Sequence, residues 1–243
     1  MATVKTQGIV IKKRNLGEAD KILIIFTRDL GKISAVAKGV RRPISKVGGH
    51  LDLFCVSDLV LAEGRNLYTI TSAELRQCFL SLRNKLKHTS QAFLMAEILD
   101  KIIHEKEKNE KIYYLFIECL KNLDDNNLIL PYFELKLVIL SGFQPHFEEC
   151  VVCQKALKES KNYFSPALGG TVCENCAKIH RDLIPLSNRA IKILRFIAAH
   201  ELKAVLRLKI VDEEVDEIEK LLKNYLEHIL EGELKANRFL KKI

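Results

Sequence analysis

Close to Cys78 the spacing of apolar residues changes from that of strands to that of helices, and this change divides the chain into two kinds of structure. Before it, Thr3 to Arg14, Lys21 to Thr27, Lys32 to Lys38, Leu51 to Leu61 and Leu67 to Leu75 are rich in Val, Ile, Thr, Leu and Phe, as strands are. Arg28-Asp29-Leu30-Gly31 and Glu63-Gly64-Arg65-Asn66 have the composition of hairpin turns. Five short strands with one long connection after the third match the size and strand count of an OB-fold barrel. Beyond Cys78, Phe93, Ile98 and Ile102, then Tyr113, Phe116 and Leu120, then Leu135, Val138 and Ile139 recur at helical spacings and form core stripes.

The expected fold class is therefore α+β in two domains: residues 1–79 as a five-stranded OB-fold barrel, and 80–243 as an all-α domain. The third helix should stop at Gly142, with Pro145 beyond it. Ser187 is placed to cap the next helix. Val215, Ile218, Leu222, Tyr225 and Ile229 form a stripe better suited to packing within the chain than to dimerisation.

An interruption near residues 146–182 carries the strongest motif. Cys150-Val-Val-Cys153 and Cys173-Glu-Asn-Cys176 fit the pattern of a structural zinc module. Each pair can bring two thiolates to about 2.3 Å from one metal ion, and four sulfurs leave no position open for water, so the expected cofactor is one structural Zn²⁺ per chain. Gly169-Gly170 suits the tight backbone of the second knuckle. His146 and His180 flank the pairs and are read as surface residues. Cys55, Cys78 and Cys119 are read as small core residues.

The charge is concentrated at the other end. The first 80 residues carry +6 of the net +8, which favours a polyanionic partner. Lys38, Arg41, Arg42 and Lys46 place four cations in nine residues with no acid among them, in a Gly/Pro-containing loop between the third and fourth strands. Such a loop on an OB barrel can follow a phosphate backbone without reading bases. Lys12, Lys13 and Arg14 extend the patch. Arg65, and Tyr68 as the available stacking ring, complete the candidate DNA-binding set. Phe26 and Phe54 are read as core.

The chain lacks G-x-x-x-x-G-K-[ST], G-x-G-x-x-G, H-E-x-x-H and G-x-S-x-G, so the residues advertise no active site. Its first residues, MATVKTQGIVIKKR, have no apolar h-region, and the longest early apolar run, Ile22 to Phe26, is far too short to span a membrane. A reducing, cytoplasmic location without membrane association is expected. An RNA-binding OB-fold protein, a thiol oxidoreductase using one C-x-x-C pair, and a scaffold that does not bind DNA are the alternative readings.

T-Q-G-I-V-I-K at Thr6 to Lys12, G-E-A-D-K-I at Gly17 to Ile22, T-R-D-L-G-K at Thr27 to Lys32, K-G-V-R-R-P at Lys38 to Pro43, and G-F-Q-P ahead of the cysteines together resemble the bacterial RecO family of DNA repair proteins. The resemblance covers nearly the whole chain. It implies an N-terminal OB fold, a helical C-terminal domain and, in many members, an inserted four-cysteine zinc module. It further implies a recombination mediator that binds single- and double-stranded DNA and anneals complementary strands without nucleotide hydrolysis. With RecR, such a protein promotes RecA loading onto strands coated by single-strand-binding protein. The surfaces for RecR and for single-strand-binding protein have no residue assignment, and the implied location is cytoplasmic and nucleoid-associated.

Overall fold

The structure, a computed structural model, describes residues 2–43, 45, 47–123 and 126–236. Its contacts divide it into two compact units, one running up to Lys121 and resuming at Lys235, the other spanning Asn122–Leu234. The barrel thus shares a unit with the first two helices, which sequence periodicity assigns to the helical domain.

In the first unit, β1 (Thr3–Leu16), β2 (Asp20–Thr27), β3 (Gly31–Ala37), β4 (Cys55–Ala62) and β5 (Tyr68–Cys78) close in the order β1-β2-β3-β5-β4. The long β1 allows closure, because its first half pairs with β4 and its second half with β2. All five expected strands are present. The fourth starts later than its apolar run, because residues 49–51 form a 3₁₀ turn and Phe54 adopts a φ of 60° before the strand begins. Alternate residues Leu23, Ile25, Ile33, Ala35, Ala37, Leu59 and Leu61 fill the interior. Val40 and Leu51 join the same core, so the long β3–β4 connection is packed onto the barrel at both ends.

The contact between β3 and β5 is parallel and covers only Ala35–Tyr68 and Val36–Thr69. The rest of that edge of β3 is met by the connection between α1 (Leu86–Ile102) and α2 (Glu110–Asn122). There Lys106 N–H donates to the Lys32 carbonyl at 2.8 Å. Gly31 makes this approach possible: its φ is 68°, and a Cβ would collide with the Glu107 backbone.

Phe26 and Phe54 are buried, as expected. Phe93 departs from its stripe, being 43% exposed, and packs edge-on against Phe54 at 5.3 Å in a cleft beside α1. Cys55 is buried, as expected of a small core residue, whereas Cys78 is half-buried. They lie opposite each other on β4 and β5 and form a disulfide, which linear spacing could not show. Cys119 is buried and free.

The second unit is built on α3 (Ile129–Leu140), which is buried on nearly every side. It ends just before Gly142, whose φ is 88°. Helices α5 (Asn188–Ala199), α6 (Leu202–Val205) and α7 (Asp212–Ile229) pack with it. Ser187 caps α5, its Oγ accepting from the Ala190 N–H at 3.1 Å. The α7 stripe is buried within the unit through Val215, Ile218, Leu222 and Tyr225. Between α3 and α5 lies a small sheet of order β7-β6-β8, formed by β6 (Asn162–Ser165), β7 (Gly170–Cys173) and β8 (Ile184–Leu186), with the one-turn α4 (Glu174–Ala177) following β7. Phe164 anchors this sheet, its ring 5.9 Å from Phe147 and 5.3 Å from Tyr225 of α7.

Candidate metal centre and nucleic-acid interface

The two cysteine pairs meet. The Sγ atoms of Cys150, Cys153, Cys173 and Cys176 all lie within 4.8 Å of one another, and those of Cys153 and Cys173 are 3.9 Å apart. Sulfurs about 2.3 Å from a shared tetrahedral ion would be separated by about 3.8 Å. Both knuckles are fixed by backbone: Gln154 N–H donates to the Cys150 carbonyl at 2.8 Å, Val151 N–H to the Thr171 carbonyl at 2.9 Å, and Cys173 N–H to the Cys150 sulfur at 3.4 Å. Gly170 is required here because a Cβ would strike the Val151 side chain.

The electrostatics suit a cation. Burial pushes the Cys150 thiol up, but N–H groups of Cys173, Cys153 and Val152 directed at its sulfur outweigh burial and bring it down to about 6. Burial, together with the hydrogen bonds and charge of the neighbouring cysteines, pushes the Cys176 thiol up to about 12. Four sulfur ligands gathered in so small a volume suit a positive ion. All-sulfur donors of this number select a soft or borderline metal and leave no coordination position for substrate. His146 is exposed, and neither it nor His180 belongs to the cluster.

The basic residues sort into two groups. Lys38, Arg41 and Arg42 are exposed, and their loop is tied to the β1–β2 turn: Gly39 N–H donates to Asp20 Oδ1 at 2.7 Å, Arg41 N–H to the Ala19 carbonyl at 2.9 Å, and Arg41 Nη1 to the Gly17 carbonyl at 2.9 Å. Arg14 stands opposite Ile22 on the same hairpin. One corner of the barrel thus carries Arg14, Lys38, Arg41 and Arg42, and among the described residues none of the four forms an ion pair. Lys46 lies outside the described residues.

The second group is neutralised. Lys12 pairs with Asp100 at 3.3 Å, and Lys13 pairs with Asp52, which also takes Arg83 at 2.7 Å. Arg65 is exposed on the β4–β5 hairpin. Tyr68 is half-buried against the core, with Lys106 Nζ 6.0 Å from its ring centre. Its register beside Ala35 puts it three residues short of Lys38, so Arg65 and Tyr68 lie apart from the cationic corner.

Strand register reveals a surface that linear reading missed. Arg14, Ile22, Val36 and Thr69 form one row across four strands, and Lys12, Ile24 and Ser34 form the next. Ile22, Ile24 and Val36 are only half-buried, whereas the alternating Leu23, Ile25, Ala35 and Ala37 face the core. Their near-continuous apolar run hid this outward strip. The strip lies on the β2–β3 face, where OB folds hold oligonucleotides. Two carboxylates border it: Asp100 on Lys12, and Glu105, whose Oε1 accepts from Ser34 Oγ at 2.9 Å.

A five-stranded OB-type barrel whose cationic corner has no ion pair among the described residues, joined in one chain to a helical unit carrying a four-cysteine cluster, defines the class. The family model "Recombination protein O N terminal" matches residues 1–79, and "Recombination protein O C terminal" matches 83–238. The chain is 38% identical over 235 residues to the DNA repair protein RecO of Dehalococcoides mccartyi, covering 96% of this chain and 92% of that protein. It is 35% identical to RecO of Roseiflexus sp. over 239 residues, covering 97% and 84%, and 34% identical to RecO of Thermoanaerobacter sp. over 247 residues, covering 100% and 99%. The chain belongs to the RecO family, whose members are named for DNA repair and recombination. Among the described residues no helix is long and apolar enough to cross a membrane.

Proposed function

We propose that this chain is a non-enzymatic recombination mediator that holds single- and double-stranded DNA on the cationic corner and β2–β3 face, and anneals complementary strands without nucleotide hydrolysis. The observation that carries this reading is the juxtaposition of Arg14, Lys38, Arg41 and Arg42, free of ion pairs among the described residues, with the outward strip Ile22, Ile24 and Val36. Cations displace condensed counterions and reduce repulsion between two phosphate backbones, while a shallow apolar strip can contact bases without fixing their identity. Annealing requires no more chemistry than this.

Lys12 and Lys13 join the DNA surface once their carboxylate partners yield to phosphate, with Arg65 and Tyr68 at its margins and Lys46 as a further phosphate contact. The metal is zinc in a structural role, held by Cys150, Cys153, Cys173 and Cys176. The functional division places DNA binding in residues 1–79 and leaves 80–243 as the helical part, with its zinc module near 146–182. RecR and single-strand-binding protein are the partners through which RecA is loaded, in a cytoplasmic, nucleoid-associated setting.

The test is a strand-annealing assay with the triple variant Arg14→Glu, Lys38→Glu, Arg42→Glu, which spares Arg41 because its side chain holds the β1–β2 turn. Annealing should fall at least tenfold while metal content and melting stay unchanged. Undiminished annealing by this folded variant would move the DNA site elsewhere.

A further inference from the structure

We infer that Cys55 and Cys78 form a reversible oxidation site in the barrel, cycling between dithiol and disulfide by exchange with a small disulfide such as oxidised glutathione. The two residues are direct partners in the β4–β5 register. The backbone holds them there on its own: Phe79 N–H donates to the Phe54 carbonyl at 3.2 Å next to the pair, Cys55 N–H to the Asp52 carbonyl at 3.2 Å, and the β4–β5 ladder continues to Ala62 and Thr69. The thiols therefore remain neighbours when reduced. Barrel closure does not depend on the bond, because β4 is also paired to β1 from Val56 to Ala62 and the core cluster fills the interior.

Access is one-sided. Cys55 is 1% exposed, whereas Cys78 is partly exposed at the end of β5. Oxidation accordingly starts at Cys78. Its thiolate attacks oxidised glutathione, forming a mixed disulfide and releasing one glutathione thiolate; the Cys55 thiolate then attacks the Cys78 sulfur, forming the internal bond and releasing the second. Two protein thiols and one oxidised glutathione become one disulfide and two reduced glutathiones, and excess thiol reverses both steps.

The bond fixes the point where the chain leaves the barrel for α1. Phe79 and the short turn Leu80–Asn84 follow directly, and Arg83 reaches back to Asp52, which also holds Lys13. Oxidation should tighten this exit, and reduction should loosen it without opening the barrel.

The experiment equilibrates the metal-loaded full chain in glutathione buffers of graded redox ratio, quenches with acid, alkylates and reads the Cys55 and Cys78 peptides by mass spectrometry. Metal content is measured in parallel. A single reversible two-electron transition is expected, with Cys119 unmodified, metal retained, and hydrogen exchange of Phe79–Asn84 at least fivefold faster in the reduced form. The Cys55→Ser variant should stop as a glutathione adduct on Cys78, whereas Cys78→Ser should leave Cys55 unmodified. A pair that stays bonded, or stays reduced, across all the buffers overturns the inference, as does oxidation confined to the metal-binding cysteines. If a serine variant fails to fold, the wild-type titration decides alone.

Discussion

Replacing Cys153 with serine, or stripping the metal with a strong chelator, should loosen the two knuckles while leaving the sheet they decorate in place. Structural zinc in isolated peptides is worth an apparent ~10–16 kcal/mol, comparable to the whole stability of an ordinary domain, which on that basis alone would unfold residues 146–186 entirely. The packing here argues for a partial effect. Phe147, Phe164 and Val172 are buried, and Phe164 sits edge-on against Tyr225 of α7. At about 1.5–3 kcal/mol for each large buried apolar side chain, these three residues contribute roughly 5–9 kcal/mol that does not depend on the metal. The Gln154 N–H bond to the Cys150 carbonyl and the Cys173 N–H bond to the Cys150 sulfur lie within the cysteine segments, whereas the Val151 N–H is held by the Thr171 carbonyl of the sheet. Hydrogen exchange should therefore accelerate at least 100-fold at Gln154 and Cys173, about 2.7 kcal/mol of local opening, and less than tenfold at Tyr163 and Phe164. Elemental analysis of the untreated protein should find one zinc per chain. Simultaneous loss of protection across all of 146–186, or no change after complete metal removal, would refute this partition.

Asp100→Asn with Glu105→Gln removes the carboxylates beside the second row, freeing Lys12; affinity for single-stranded DNA should rise, and the log–log salt slope should steepen by about 0.7 if one new phosphate contact forms, both read by fluorescence anisotropy. Gly31→Ala should lower barrel stability by at least about 2 kcal/mol in urea unfolding, because it combines an unfavourable φ with a collision at the Glu107 backbone. Burial raises the Asp52 carboxyl, but the hydrogen bonds of Lys13 and Arg83 outweigh burial and hold it well below the usual carboxylate range. A carboxylate depressed on folding contributes stability above its unfolded pKa, near 3.9, and that contribution is lost as pH falls. Asp52→Asn should therefore be less stable than wild type at pH 6, with the difference shrinking below about pH 4 in pH-dependent melting.

The strands were legible because alternating Leu23, Ile25, Ile33 and Ala35 carry the period of a half-buried sheet, and hairpin chemistry marks their ends. The four-cysteine cluster was legible because two C-x-x-C pairs specify their own geometry. Registers were not. Ile22 and Ile24 stand in one unbroken apolar run with Leu23 and Ile25, and their register with Val36 and Ser34 is what sets them on the outward face. The Cys55–Cys78 bond joins residues 23 apart, which no local pattern connects. Neutralisation of Lys12 and Lys13 depends on acids 88 and 39 positions away, so a count of cations overstated the free charge of β1.

The most direct measurement is the salt dependence of single-stranded DNA binding by the wild-type chain and by the Arg14→Glu, Lys38→Glu, Arg42→Glu variant. Arg14, Lys38, Arg41 and Arg42, without ion pairs among the described residues, give at about −0.7 each a wild-type log–log slope near −3, corresponding to a loss of affinity of about 50-fold between 50 and 200 mM salt. The variant should show a slope no steeper than about −1 and binding weakened at every salt concentration. Equal slopes for the two proteins would contradict the assignment of DNA binding to this corner of the barrel.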